Sequence, residues 1–307
     1  MRVTKRVDVS GRRMCNCPEN HLNCMTAKEW VKAQIGVWEV FYEGRDVRDK
    51  EIHPAVMPIA LAKKVVELFT HRGELVLDPF NGIGTTLIAC NDLERNGVGF
   101  DINAAYCHVA KRRLSENKLA SRSKQVVICD DARRIPEYLE PGSLSLIFTS
   151  PPYANLLNRV RLNKSRRGDL RRNKQFLTVE QYSQDPKDLG TLEVERYSEE
   201  MKGVYGRLLP LLKPRGHAVI NIPDMWWKNE RYGKRIPIHI NIHRSLIEAG
   251  YEFRNTIIWD RTNIVNKVGI FGWPSNYITM GTTFEYLLDF WRPPKPDGAA
   301  LELDPES

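Results

Sequence analysis

The chain has 307 residues, 42% of them hydrophobic, with a formal charge of +8 and a sequence pI near 9.1. That length allows one large α/β domain or two small ones, with enough apolar residues for a full core. The basic balance favours a polyanionic partner, and with no run of about eighteen apolar residues no membrane span is expected. Residues 1–13 are basic but lack the apolar centre of a signal peptide, so a cytoplasmic protein is expected. Residues 1–25 read as an irregular N-terminal arm, in which Cys15, Cys17 and Cys24 cluster with His21. Two readings stand, a small zinc site or reduced thiols in a mobile arm. The spacing matches none of the usual paired zinc patterns, and no metal is assigned. Cys90, Cys107 and Cys129 fall in expected helix or strand and read as buried thiols. From Thr26 a capping-box pattern, Thr26-Ala27-Lys28-Glu29, opens a predicted helix carrying Trp30, Val31, Ile35, Trp38 and Phe41 at helical spacing. A second helix is predicted over residues 58–69.

Leu75-Val76-Leu77-Asp78-Pro79-Phe80-Asn81-Gly82-Ile83-Gly84-Thr85-Thr86 reads as strand, glycine turn and helix start. Gly82 and Gly84 let the backbone turn sharply and approach a ligand. No lysine follows them, so this is not a P-loop. The next strand ends in Asp101, about where an acid would take the two hydroxyls of a ribose; the bland reading is a helix cap. A third strand, residues 125–129, ends in Asp130 and Asp131, and a carboxylate there could accept from an adenine amine, with Asp131 preferred. A fourth, Leu144-Ser145-Leu146-Ile147-Phe148, runs into Thr149-Ser150-Pro151-Pro152-Tyr153. Proline fixes φ, donates no backbone hydrogen and holds the residue before it extended. The segment should therefore stand rigid at a strand's carboxyl end, where open α/β sheets place ligands. It offers a hydroxyl, carbonyls and a flat ring, the parts needed to hold a planar base and accept from its amino group.

Residues 154–178 carry Arg159, Arg161, Lys164, Arg166, Arg167, Arg171, Arg172 and Lys174 against one acid, Asp169. A charge run is often a solvated face, but a long loop directly after the base-binding motif is placed to grip phosphates. A helix is expected over 197–212 and a strand over 218–222. Residues 225–235 interleave Trp226, Trp227 and Tyr232 with Arg231, Lys234 and Arg235, as at nucleic-acid surfaces. Residues 293–307 are rich in proline and acid and read as a disordered tail. The alternation of strands and helices predicts a mostly parallel sheet with helices on both faces.

These motifs together resemble the S-adenosylmethionine-dependent amino-methyltransferases of DNA, which methylate cytosine N4 or adenine N6. Residues 53–58, starting at His53, then Asp78 to Thr86, then 106–114, are similar to the family's cofactor-binding half. Thr149 to Tyr153 is similar to its catalytic motif in the form typical of the cytosine-N4 members. Residues 216–224, 250–261 and 285–292 are similar to its later strands. The cofactor half precedes the catalytic half here, a permutation of the same sheet. The resemblance implies a Rossmann-like class I methyltransferase domain over 26–292 with a basic insertion at about 154–196. It also implies S-adenosylmethionine as cofactor and double-stranded DNA as partner, in a setting of DNA methylation and restriction–modification. The oligomeric state stays open between monomer and homodimer. The implied cofactor residues are Asp78, Pro79, Phe80, Gly82, Gly84, Thr85, Thr86, Asp101, Asp131 and Thr149, and the implied catalytic group is Ser150, Pro151, Pro152 and Tyr153. Ser150 and the Pro151 carbonyl would accept from the amine as it attacks the methyl group, with Tyr153 stacked on the ring and the base flipped out of its helix. Arg159, Arg161, Arg166, Arg167, Arg171, Arg172, Trp226 and Trp227 would bind nucleic acid. An adenine-N6 enzyme, an RNA base methyltransferase and a nucleotide-binding regulator without catalysis are the alternatives.

Overall fold

Strands β2 (Leu75–Asp78) and β5 (Leu144–Thr149) are buried along their whole lengths, which places them at the centre of a sheet covered on both faces. Their side chains alternate between the two faces. Leu75, Leu77 and Ile147 meet one core, while Val76, Leu146 and Phe148 meet the other. This is a computed structural model, and it describes residues 5–18, 20–47, 56–117, 121–157, 185–228, 233–262 and 283–294. The remaining strands of the sheet are β1 (Val37–Glu39), β3 (Asn96–Asp101), β4 (Gln125–Cys129), β6 (Leu212–Ile222), β9 (Glu252–Asp260) and β10 (Phe284–Trp291). Two shorter strands, β7 (Met225–Lys228) and β8 (Gly233–Ile236), form a separate antiparallel ribbon.

The eight strands lie in the order β1-β9-β10-β6-β5-β2-β3-β4. All neighbours pair parallel except at β10, which is antiparallel to both β6 and β9. The result is a mostly parallel, Rossmann-like α/β sheet, as the alternation of strands and helices predicts. The chain steps one way from β2 through β3 to β4 and then returns to β5 on the other side of β2. The carboxyl ends of β2 and β5 are thus the switch point where a crevice opens.

Helix α3 (Ile59–Phe69) covers one face through Leu61, Ala62, Val65, Val66 and Phe69, with Ala89 and Cys90 of α4 (Thr85–Asp92) beside them. Helix α5 (Ala104–Ser115) packs on α4 and β4 through Cys107 and Ala110. The other face is covered by α6 (Val194–Leu208) and α7 (Ile238–Glu248). The helix expected over 197–212 stops at Leu208. A short 3-10 turn holding Pro210 follows, and β6 begins at Leu212.

The helix opened by Thr26 does form with its capping box, but α1 covers only Ala27–Ala33. Ile35 and Phe41 lie outside it, and Trp38 sits in β1, buried on the sheet edge. The spacing of Trp38 arose from a strand's inward face, not from a helix stripe. Helix α2 (Gly44–Val47) follows. Cys90 and Cys107 are buried as expected, whereas Cys129 is exposed because it ends the edge strand β4.

Among the described residues before Thr26 no helix or strand forms, yet the segment is held by hydrogen bonds. Val7 N donates to Tyr138 O, Asn96 Nδ2 to Ser10 O and Met14 N to Arg72 O, at 3.1, 2.8 and 2.8 Å. The grouping of three cysteines with the His21 ring is corrected: the imidazole facing the thiols belongs to His71, and His21 supplies its backbone carbonyl. His53 and residues 295–307 of the expected tail lie outside the described residues. No helix among the described residues is long and apolar enough to cross a membrane.

Candidate active site

The crevice at the switch point is organised by Asp78, the last residue of β2. It is 3% exposed. Its Oδ2 accepts from Thr86 Oγ1 and its Oδ1 from Thr149 Oγ1, both at 2.6 Å, and Phe80 N donates to Oδ1 at 3.1 Å. One carboxylate thus ties the end of β2, the first turn of α4 and the end of β5 together. Burial pushes its carboxyl up to about 6, against the pull of the Thr149, Thr86 and Phe80 donors.

The turn after Asp78 needs its glycines. Gly82 and Gly84 have φ of 49° and 85°, in the left-handed region where a Cβ is strained. A Cβ on Gly84, the N-cap of α4, would also sit 3.0 Å from the Cβ of Ala110 in α5. The turn delivers Gly82 N to Asp101 Oδ2 at 2.8 Å, and Asp101 Oδ1 accepts from Asn103 N at 2.8 Å. The cap of α5 is Asn103, so Asp101 is not the helix cap. Burial raises the Asp101 carboxyl to about 7, with Asp188 and Asp78 adding to the rise.

Across the crevice, Thr149 turns its hydroxyl inward to Asp78, and Ser150 is the first hydroxyl left to face the opening. Ser150 Oγ and Tyr153 Oη are 3.3 Å apart. Tyr153 is largely buried, with a small part of its surface on the crevice, and the chain then bends sharply at Ala154, whose φ is 50°. The crevice encloses about 930 Å³ when the space open to solvent is counted. Its walls bring together Asp78, Pro79, Phe80, Gly82, Thr85, Thr86, Asp101, Asp131, Ser150, Pro151, Pro152 and Tyr153. Gly84 and Thr149 stand behind this lining and shape it.

A family model described as DNA methylase, covering the N6 and N4 methyltransferases, matches residues 13–112 and 144–305. The chain belongs to this DNA methylase family. It is similar to the type II methyltransferase M.HpaI of Haemophilus parainfluenzae, 38% identical over 78 residues, 25% of each chain. Type II methyltransferase M.BglI of Bacillus subtilis is 31% identical over 109 residues, 34% of this chain and 30% of that protein. These alignments span about a quarter to a third of the curated relatives. Among solved structures, TrmN from Thermus thermophilus has a TM-score of 0.46 at 14% identity, over 80% of this chain and 52% of that one.

Asp131 lines the crevice with its carboxylate already engaged. Arg133 donates to it through Nε, Nη2 and its backbone N at 2.9, 2.7 and 2.9 Å, and reaches Glu200 at 3.1 Å. Asp130 points elsewhere, to Tyr138, Arg134 and Lys5. Asp188 is a lining residue that sequence reasoning missed. It is buried, accepts from Gly190 N at 2.7 Å, and burial raises its carboxyl. An acid two residues before a glycine, closing a basic stretch, is an Asx-turn signal that could have found it.

A second missed group is the Glu285–Arg261 pair, whose charges act on Tyr153. Glu285, at the start of β10, is buried and accepts from Asn221 Nδ2 at 2.8 Å and from Arg261. Burial raises its carboxyl, with Arg261 pulling the other way. The Arg261 guanidinium lies 4.9 Å from the Trp259 ring centroid. Trp226 and Trp227 belong to the β7–β8 ribbon, whose backbone register sets them opposite Arg235 and Lys234. Arg159, Arg161, Arg166, Arg167, Arg171 and Arg172 lie outside the described residues.

Proposed function

We propose that this protein transfers a methyl group from S-adenosylmethionine to the exocyclic N4 amine of cytosine in DNA. The reading rests on one observation: the rigid Ser150-Pro151-Pro152-Tyr153 turn ends β5 directly across the switch point from the Asp78–Asp101 crevice. The donor set suits the cofactor. Asp101 offers carboxylate oxygens for ribose hydroxyls, Phe80 and Tyr106 offer apolar surface, and the Asn81 amide is buried at the crevice without a partner among the described residues. When bound, S-adenosylmethionine supplies an electrophilic methyl carbon, which the amine nitrogen takes as the carbon–sulfur bond breaks and leaves a neutral thioether.

The protein's own residues handle the amine. Its nitrogen lone pair is delocalised into the ring, so it attacks only if its hydrogens are held and the nitrogen can pyramidalise. Ser150 Oγ and the Pro151 carbonyl accept those hydrogens, and the proton lost after transfer passes to solvent. Among the described residues no base lies beside Ser150; its neighbour is the Tyr153 hydroxyl, so it acts as an acceptor rather than a nucleophile. Fixing the reacting atoms in line supplies much of the rate. The target must leave the duplex to reach such a crevice. The Trp226–Arg235 and Trp227–Lys234 pairs on the ribbon, with the arginines of 159–172, form the DNA-facing surface.

Cytosine is favoured over adenine because Thr149-Ser150-Pro151-Pro152-Tyr153 has the form that the family resemblance associates with the cytosine-N4 members. The test is incubation with genomic DNA and labelled cofactor, digestion to nucleosides and mass analysis. N4-methylcytosine is expected. Label in N6-methyladenine would overturn the cytosine assignment but leave amino-methyl transfer standing, and label in no nucleic acid would overturn the whole reading.

A further inference from the structure

Three thiols and an imidazole converge at the end of the sheet opposite the crevice. Cys15, Cys17 and Cys24 come from the N-terminal segment, and His71 from the turn between α3 and β2. Their four ligand atoms lie within 4.8 Å of one another. Nδ1 of His71 is 3.3 Å from Cys15 Sγ and 3.4 Å from Cys24 Sγ. A tetrahedral zinc ion with sulfurs at about 2.3 Å and a nitrogen at about 2.0 Å sets sulfur–nitrogen edges of roughly 3.5 Å. The cluster therefore accepts the ion with small shifts.

The imidazole is oriented for a metal by a contact that involves none of the thiols. Its Nε2 lies 2.8 Å from the carbonyl oxygen of His21. A carbonyl only accepts, so Nε2 carries the proton and Nδ1 presents a bare lone pair to the sulfurs. A backbone carbonyl on the far nitrogen is how metal-binding histidines are commonly held. Arg72 N donates to Cys24 Sγ at 3.4 Å, which fixes that sulfur beside the imidazole. All three thiols are free of disulfides.

We propose that Cys15, Cys17, Cys24 and His71 bind one zinc ion, which locks the N-terminal segment across the amino ends of the strands. Three sulfurs and one nitrogen in a tetrahedron select zinc over harder cations. Four protein ligands leave no open position, so the ion is structural and plays no part in the chemistry of the crevice. It closes the segment onto the turn where Met14 N already donates to Arg72 O at 2.8 Å.

The test is metal analysis of the full chain, purified under reducing conditions and reconstituted with zinc. About one zinc per chain is expected to survive gel filtration. Cobalt in its place should give the visible bands of a tetrahedral thiolate site, and a strong chelator should lower Tm. Cys24→Ser and His71→Ala should lose the ion, while His71→Cys and His21→Ala should keep it. Substoichiometric zinc in the wild-type chain overturns the proposal, and so does full zinc in Cys24→Ser. Zinc lost from His21→Ala but kept by His71→Ala overturns the assignment of the fourth ligand. Should the variants fail to fold, the wild-type stoichiometry and the cobalt spectrum decide. None of these readouts depends on methyl transfer.

Discussion

Asp101 holds two backbone N–H groups and sits in surroundings that raise its carboxyl to about 7, chiefly by burial. Its unfolded value is near 3.9. Between those values the folded state binds the extra proton, so this residue makes the free protein less stable as pH rises from about 4 to about 7. Ribose hydroxyls donate to the ionised form and therefore favour it. Cofactor binding should release a proton below pH of about 7, and affinity should rise with pH by up to about tenfold per unit there. Calorimetry at several pH values in buffers of different ionisation heat measures both effects. Asp101→Asn should bind more weakly and without the pH dependence, and a wild-type affinity flat with pH would remove Asp101 from the ribose. Ser150→Ala should leave cofactor affinity unchanged and lower the single-turnover rate, because its contact matters as the amine pyramidalises. Tyr153→Ala should cost more rate than Tyr153→Phe if the ring is what holds the base; the reverse order would assign the role to the hydroxyl that meets Ser150. Thr149→Val removes one of three donors from the buried Asp78 carboxylate. It should lower stability by about 1–3 kcal/mol, read from the urea midpoint at constant m-value.

The union of α4 with α5 depends on Gly84, at the left-handed N-cap of α4 and against Ala110. Gly84→Ala should destabilise by at least about 1–2 kcal/mol from the backbone alone, and calorimetric unfolding would show it; an unchanged Tm would mean the turn can relax. Elements of this kind were legible in the sequence where the signal is local. The strands β2 and β5 show as short apolar runs because both faces are buried, and the turns after them announce themselves through Gly82, Gly84, Pro151 and Pro152. The crevice was legible for the same reason, since its lining comes from strand ends. Features built by distant pairing were not. Trp38 looks helical by spacing and is buried by pairing β1 with β9, more than two hundred residues on. Glu285 acquires its meaning only beside Arg261 and Asn221 on neighbouring strands. His71 is 56 residues from Cys15, too far for any spacing rule to join them.

For the whole molecule the decisive quantity is charge. The formal charge is +8, and residues 154–178 hold Arg159, Arg161, Lys164, Arg166, Arg167, Arg171, Arg172 and Lys174 against Asp169 alone. On the proposed function such a field would draw in a duplex through counterion release, each neutralised phosphate contributing about −0.9 to the slope of log K against log salt. Replacing Arg166, Arg167, Arg171 and Arg172 with alanine should therefore weaken DNA binding and reduce the magnitude of that slope by roughly 3–4 if all four touch phosphates. Cofactor affinity should stay the same, because the described lining of the crevice comes from the ends of β2, β3, β4 and β5, the turns that follow them, and residues 56–57 and 187–189. Fluorescence anisotropy with a labelled duplex across a salt series measures the slope directly. Weaker binding at an unchanged slope would mean the segment acts through shape rather than phosphate contact. Unchanged binding would move the electrostatic surface to the β7–β8 ribbon, where the same experiment on Lys234→Ala with Arg235→Ala should then lower the slope by up to about 2.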